Sequence, residues 1–216
     1  MDHPTVPDAA RRDLLVAEDL TCIRDDRVLF AGLSLRVAAG EVLQIQGPNG
    51  SGKTSLLRIL CGLLQREAGS IRFRGEPVDR WDAQLRRQLA YLGHLTGVTP
   101  ALTAAENLRM FAALHAARLS AAQALERVGL AGMDDVLARH LSAGQRQRLA
   151  LCRLLLQRAK LWVLDEPATA LDRAGRASVR QLIEAHVQGK GAVILTTHQP
   201  LVLEAPVREF TLGHPT

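Results

Sequence analysis

The chain contains seven short runs in which apolar residues follow one another or alternate with polar ones, most of them bounded by glycine or polar residues. Runs of this kind are typical of β-strands, and the continuous apolar ones are typical of strands buried inside a sheet. The strands are predicted at 14–20, 33–38, 41–47, 70–75, 88–93, 160–167 and 191–198. The first two are expected near a sheet edge, on either side of the polar turn RDDR.

Five longer stretches are predicted to be helical. Thr103 and Glu106 have the spacing of a capping box, Ser120 is an expected N-cap, and Gly129 is an expected C′ glycine. The helices are predicted at 54–64, 102–119, 120–130, 141–156 and 173–187. Because strands alternate with helices, the sequence predicts an α/β fold with a mainly parallel sheet covered on both faces, and a helical subdomain inserted at about 95–158.

The helix at 141–156 begins with an unusual run, LSAGQ. Ser142 and Gln145 fit a capping box, which alone would predict only a helix start. Gly144 adds nothing to that cap and weakens the first turn. A glycine at this position indicates that another group approaches the backbone closely.

The composition narrows the classes of partner. The net charge is +5, but the basic residues are scattered arginines and only 3% of the residues are aromatic, so no nucleic-acid partner is expected. Three isolated cysteines predict reduced thiols, and scattered histidines give no reason to expect direct haem binding. No run is long enough for a membrane span, and residues 1–12 are expected to be a mobile tail before a single domain at 13–216.

The segment GPNGSGKT matches the phosphate-binding pattern G-x-x-x-x-G-K-[ST] and lies between a predicted strand and a predicted helix. Glycines at 50 and 52 allow backbone N–H groups to surround a phosphate at a helix N-terminus. Lys53 would reach the β- and γ-phosphates, and the Thr54 hydroxyl would bind Mg²⁺. The predicted nucleotide-binding residues of this segment are Gly47, Pro48, Asn49, Gly50, Ser51, Gly52, Lys53, Thr54 and Ser55.

Two further predicted strands end in residues suited to phosphate chemistry. Asp165 follows the apolar run LWVL and could hold Mg²⁺ through water, and Glu166 beside it could deprotonate the attacking water. His198 follows VILTT and is predicted to form a hydrogen bond at the γ-phosphate.

The chain resembles the nucleotide-binding domains of ATP-binding cassette (ABC) proteins from about residue 14 to residue 210. The resemblance rests on five motifs that occur in the same order as in that family: the phosphate loop, LSAGQ, VLDEP, ALD and TTH. The resemblance implies a P-loop NTPase fold with an N-terminal antiparallel β portion, and ATP and Mg²⁺ as cofactors. It also implies that Ser142, Gly144 and Gln145 complete the ATP site of a second copy of the chain. Asp172 would lie across the same dimer interface.

The sequence departs from the family pattern at three positions. Ala143 replaces the first glycine of the signature, a small change that should be tolerated. His94 occupies the place of a glutamine after the strand YLG, and is expected to form hydrogen bonds near the γ-phosphate. Arg24 lies near the position where the family stacks an aromatic ring on adenine; its guanidinium could stack on the base instead.

Within this family, the chain resembles the ATPase subunits of the cytochrome c maturation haem-export system through five segments: YLGH, LTAAENL, LSAGQRQR, LWVLDEPATALD and VILTTHQPL. That resemblance implies integral-membrane partner subunits and a peripheral location on the cytoplasmic face of a bacterial inner membrane. Two other functions stay open at the level of sequence. They are an ATPase for a different transporter and a soluble ABC ATPase of the iron–sulfur assembly type.

Overall fold

A computed structural model describes residues 13–79, 81–115, 117, 119–197 and 201–213. The predicted tail at 1–12 and the predicted site residue His198 lie outside the described residues. In chain order the elements are β1 (Asp13–Arg24), β2 (Arg27–Ala38), β3 (Val42–Gln46), α1 (Lys53–Leu60), β4 (Ala68–Phe73), β5 (Glu76–Pro77), α2 (Ala83–Arg86), β6 (Leu89–Leu92), α3 (Ala104–His115), α4 (Ala121–Arg127), a 3₁₀ turn (Ala138–His140), α5 (Ala143–Leu156), β7 (Leu161–Asp165), α6 (Arg173–Gln188), β8 (Ala192–Thr196) and β9 (Val207–Thr211).

The predicted parallel sheet is confirmed. Its five strands have the order β6-β7-β8-β3-β9, and all neighbouring pairs are parallel. Alternate residues of β7 belong to different cores. Leu161 and Val163 pack with α1 and the antiparallel sheet, whereas Trp162 and Leu164 pack with α3 to α6. Because both faces are covered, the carboxyl end of the sheet is the place where polar groups can converge.

The N-terminal part is a four-stranded antiparallel sheet with the order β2-β1-β4-β5. The predicted strands at 14–20 and 33–38 were too short. They belong to two twelve-residue strands joined at Asp25 and Asp26, both of which have positive φ angles (49° and 58°). Two such residues form a tight hairpin turn, and this short turn allows pairing to continue into the charged tip. The predicted position near a sheet edge is confirmed, since β2 is the edge strand and β1 lies next to it, paired with β4 on its other side.

The helical predictions are confirmed in position and corrected in length. Helix α1 ends at Leu60 and not at 64, because Gly62 adopts a φ of 66° and Trp81 occupies the space beside it, 1.8 Å from where a Cβ would lie. The capping box of α3 is present: Thr103 N–H donates to Glu106 Oε2 at 2.8 Å, and Glu106 N–H donates to Thr103 Oγ1 at 3.1 Å. No helix in the described part of the chain is long and apolar enough to cross a membrane.

The contact between α6 and β7 contains a half-buried imidazole. His186 stacks on the Trp162 ring at a centroid distance of 3.9 Å, and its Nε2 lies 3.3 Å from the carbonyl oxygen of Lys160. Burial lowers the pKa of His186 from 6.5 to about 4. Gly191 leaves the space that the ring fills, since a Cβ there would lie 2.2 Å from Nε2.

We expect acid to destabilise the protein through this residue. The unfolded chain binds a proton at His186 near pH 6.5 and the folded chain only near pH 4, so stability is full above about pH 6.5 and falls as the pH decreases towards 4. The loss should be about 2–3 kcal/mol in the free energy of unfolding, measured by urea denaturation between pH 7 and 4. His186→Phe should reduce this slope, and His140→Phe, at an exposed histidine, should keep it. Equal slopes in wild type and His186→Phe would contradict the assignment.

Candidate ATP-hydrolysis site

The phosphate-binding segment forms a loop between β3 and α1, as the sequence predicts. Gly47 has a φ of 148°, and a Cβ there would lie 2.5 Å from the carbonyl oxygen of Leu212 and 2.8 Å from Ser51 Oγ. Gly52 is the N-cap of α1 with a φ of 96°. Gly47 is therefore needed for the loop to close against Leu212 after β9, and Gly52 for its positive φ angle beside Leu29 and Phe30 of β2.

Lys53 holds the loop in its curved shape. Its Nζ donates to the carbonyl oxygens of Gly47 and Pro48 at 2.7 and 2.9 Å. The ammonium group thus lies inside the loop, at the N-terminus of α1, where the helix dipole also favours negative charge. The arrangement can bind a phosphate through the backbone N–H groups and the lysine together.

A buried carboxylate joins this loop to the ends of β7 and β8. Asp165 is only 4% exposed, and its Oδ2 accepts a hydrogen bond from Thr54 Oγ1 at 2.9 Å. Its Oδ1 accepts from Thr196 Oγ1 at 2.8 Å. The two hydroxyl donors satisfy a charge that would otherwise be costly to bury. Thr196 was missed from the sequence; its signal was the pair of threonines that ends the apolar run of β8.

Glu166 follows Asp165 in a conformation that is rare for a residue with a side chain. Its φ is 56°, and its N–H lies 3.2 Å from the carbonyl oxygen of Thr196 and 3.1 Å from Thr196 Oγ1. Thr169 Oγ1 donates to Glu166 Oε2 at 3.3 Å. Positive φ values at such residues are kept only where the surroundings enforce them, and they are concentrated at functional sites.

Two cavities meet at this glutamate. The larger, about 430 Å³, is lined by the phosphate loop, Asp165, Glu166 and His94, with Leu29 at its side. The smaller, about 190 Å³, is lined by Glu166, His94 and the first turns of α5. The structure therefore brings His94 and Glu166 to the same place, although 72 residues separate them in the chain.

The residues of the α5 N-terminus lie elsewhere. The Ser142 cap is confirmed, since Gln145 N–H donates to Ser142 Oγ at 3.2 Å and Ser142 N–H donates to Gln145 Oε1 at 2.8 Å. Neither residue, nor Gly144, is among the described residues that line the 430 Å³ cavity. The expected close approach to Gly144 has a source within the chain: a Cβ there would lie 3.0 Å from the carbonyl oxygen of Ala170.

Two other predicted residues lie outside the described lining of that cavity. Asp172 is the N-cap of α6, with its Oδ1 accepting from Gly175 N–H at 2.7 Å. Arg24 ends β1 beside the hairpin turn, exposed and 3.9 Å from Asp25 Oδ2. Arg24 is therefore not among the described residues that line the cavity bordered by Leu29.

Comparison with known proteins identifies the family. The ABC transporter family model matches residues 30–169, and the chain belongs to that family. It is an ABC-type ATPase.

The chain is similar to curated proteins described as cytochrome c biogenesis ATP-binding export protein CcmA. It is 47% identical to the protein of Methylococcus capsulatus over 92% of this chain and 98% of the relative. It is 47% identical to that of Vibrio vulnificus over 93% and 100%. It is 50% identical to that of Salmonella paratyphi A, a protein described as CcmA 2, over 87% and 91%.

Solved structures show the same fold. A putative ABC transporter ATP-binding protein from Pyrococcus furiosus has a TM-score of 0.78, with 26% identity over 92% of this chain and 96% of that one. A dimeric ATP-binding cassette bound to ADP and Pi has a TM-score of 0.75, with 23% identity over 86% of this chain and 88% of that one. The P-loop ABC fold, with an antiparallel portion beside a parallel sheet, is therefore confirmed.

The network around Asp165 can be tested through Thr196. Thr196→Val keeps the shape of this fully buried side chain but removes the hydroxyl that donates to Asp165 and lies beside Glu166 N–H. We expect a loss of about 1–3 kcal/mol in the free energy of unfolding, measured by urea denaturation. Thr211→Val, at an exposed position of β9, should change stability by no more than about 0.5 kcal/mol. Equal stability of the two variants would contradict the role given to Thr196.

Proposed function

We propose that this chain is the ATPase subunit that drives haem export, and release of haem-loaded chaperone, in cytochrome c maturation. The observation that carries the proposal is the 46–50% identity to CcmA proteins over 87–93% of the chain. The arrangement of Lys53, Asp165 and Glu166 around one cavity supports ATP hydrolysis as the source of energy.

In the proposed site, the N–H groups of residues 50–54 and the Lys53 ammonium bind the phosphates. The Thr54 hydroxyl and the Asp165 carboxylate fit Mg²⁺, since they are hard oxygen ligands 2.9 Å apart at the mouth of the loop. Bound Mg²⁺ would supply positive charge to the β- and γ-phosphates. Glu166 has a separate role as the general base that accepts the proton of the attacking water. His94, and His198 beyond the described residues, orient water or phosphate by hydrogen bonds.

The proposed active unit contains two copies of the chain. The N-terminus of α5 carries Ser142, Gly144 and Gln145, none of which is among the described residues that line the 430 Å³ cavity of the same chain. A helix N-terminus in this position suits binding of the γ-phosphate held by a second chain. Asp172 would lie at the same interface. We further propose that the dimer binds integral-membrane subunits on the cytoplasmic face of a bacterial inner membrane, through the helical subdomain and the loop that carries His94.

Lys53→Ala tests the phosphate loop and the pathway together. Loss of the positive charge at the β- and γ-phosphates should abolish ATP hydrolysis, at a cost of several kcal/mol in transition-state binding. In the source bacterium, deletion of the gene should remove haem-stained c-type cytochromes, and a plasmid copy of the wild type should restore them where Lys53→Ala does not. Unchanged cytochromes in the deletion strain would exclude the haem pathway. Hydrolysis by Lys53→Ala within a few-fold of wild type would exclude the site.

Dimerisation can be tested with a variant that retains ATP. Glu166→Gln keeps the side-chain shape but cannot accept the proton, so bound ATP should persist and hold two chains together. Size-exclusion chromatography should show a dimer with ATP and a smaller species without nucleotide. Adding Ser142→Arg places a bulky side chain at the helix end and removes a cap worth about 1 kcal/mol. The double variant should bind ATP as a monomer, and an ATP-dependent dimer that survives Ser142→Arg would refute the arrangement.

A further inference from the structure

Gln147 is a buried amide on the inward face of α5. It is 7% exposed, and its Nε2 donates to the carbonyl oxygen of Pro167 at 3.1 Å. The other buried residues of this helix are apolar: Leu149, Ala150, Leu151, Cys152, Leu154 and Leu156. An apolar side chain at 147 would pack here without any desolvation cost, so the amide is explained by the hydrogen bond that it makes.

The carbonyl that Gln147 binds belongs to the residue directly after Glu166. A residue that precedes proline is disfavoured in helical backbone conformations, yet Glu166 has a φ of 56°. On its N-terminal side, Glu166 is held by β8, because the Glu166 N–H donates to the carbonyl oxygen and Oγ1 of Thr196. On the other side, Thr169 N–H donates to the Glu166 carbonyl oxygen at 3.1 Å and Gln147 binds Pro167. The hydrogen bond from Gln147 thus ties this segment to α5 directly after Glu166.

A second contact between α5 and the same segment lies one turn earlier. Gly144 allows the carbonyl oxygen of Ala170 to approach, and Ala170 itself has a φ of 62°. Positions 144 and 147 are three residues apart and therefore share one face of the helix. Segment 166–172 is held along that face at both points, and the 190 Å³ cavity beside it is lined by Gln147, Glu166 and His94.

We propose that Gln147 is a positioning residue for Glu166. Its amide fixes Pro167 against α5, and this keeps the backbone of Glu166 in the left-handed conformation that presents the carboxylate to both cavities. The inference rests on the proposed role of Glu166 as the base. It adds a residue of α5 that acts through Glu166 without contacting the nucleotide.

Gln147→Met tests the inference, because methionine keeps the approximate length of the side chain and removes the amide that donates to Pro167. Gln157→Met is the matched control: the same substitution at the end of the same helix, where the amide lies 3.4 Å from His115 Nε2. We expect kcat for ATP hydrolysis to fall about tenfold or more in Gln147→Met, since small misplacements of reacting groups have effects of this size. The Kd for ATP should stay within twofold of wild type, because the phosphate loop is unchanged. Gln157→Met should keep both values.

A second pair of variants separates this inference from the proposal on which it rests. In a Glu166→Gln background the residual rate should not fall further when Gln147→Met is added, since both changes act on one group. If Glu166→Gln alone hydrolyses ATP like wild type, the base assignment is wrong. If Glu166→Gln is inactive but Gln147→Met keeps kcat within twofold, only the positioning inference is wrong. A tenfold loss in both backgrounds also refutes it.

Hydrogen exchange supplies a measurement that needs no turnover. The amides of Thr169 and Leu171 donate to Glu166 and Ala168 carbonyl oxygens within the held segment. Gln147→Met should increase their exchange rates at least about fivefold, because local opening of the segment becomes easier. Gln157→Met should not change them. Exchange in Gln147→Met equal to that of wild type would show that the amide does not hold the segment.

Discussion

The buried carboxylate of Asp165 is the constraint on which the site depends. It is almost completely buried and accepts hydrogen bonds from two hydroxyls, Thr54 at the start of α1 and Thr196 at the end of β8. A charge in this position is tolerated only when such donors are present. Burial of Asp165 therefore requires the phosphate loop and the ends of β7 and β8 to be in their observed relative positions.

The position of Asp165 is in turn fixed by packing. Residues of β7 alternate between two apolar cores, one with α1 and the antiparallel sheet and the other with α3 to α6. A shift of one residue along the strand would exchange these faces, so the register is strongly specified. The last residue of β7 must then lie at the carboxyl edge of the sheet, beside Thr196 of its neighbour. The packing of apolar side chains on β7 therefore determines where the polar group of Asp165 lies.

Local patterns in the sequence predicted most of this arrangement. The parallel sheet, the phosphate loop and the caps at Thr103, Ser120 and Ser142 follow from periodicity and from short motifs whose physics is local. What could not be predicted depends on contacts between distant segments. The hairpin of β1 and β2 extends through charged residues because two aspartates accept positive φ angles.

The clearest such case is Gly144. Its sequence context indicates that some group lies against the helix backbone, but only the folded chain identifies the carbonyl oxygen of Ala170 as that group. The small strand β9 is a similar case. Its residues are largely exposed and show no apolar run, so no pattern marks it, and its existence follows from pairing with β3.

The approach of Leu212 to Gly47 has a consequence for how the protein is made. Leu212 N–H donates to the Gln46 carbonyl oxygen at 2.8 Å, and its own carbonyl oxygen lies where a side chain on residue 47 would be. The phosphate loop lies in the first quarter of the sequence, but the Leu212 backbone that packs against it is present only after the ribosome has added residue 212. A nascent chain carries the loop sequence long before it has the loop shape. Closure of the phosphate loop in the observed shape therefore requires a chain that extends at least to residue 212.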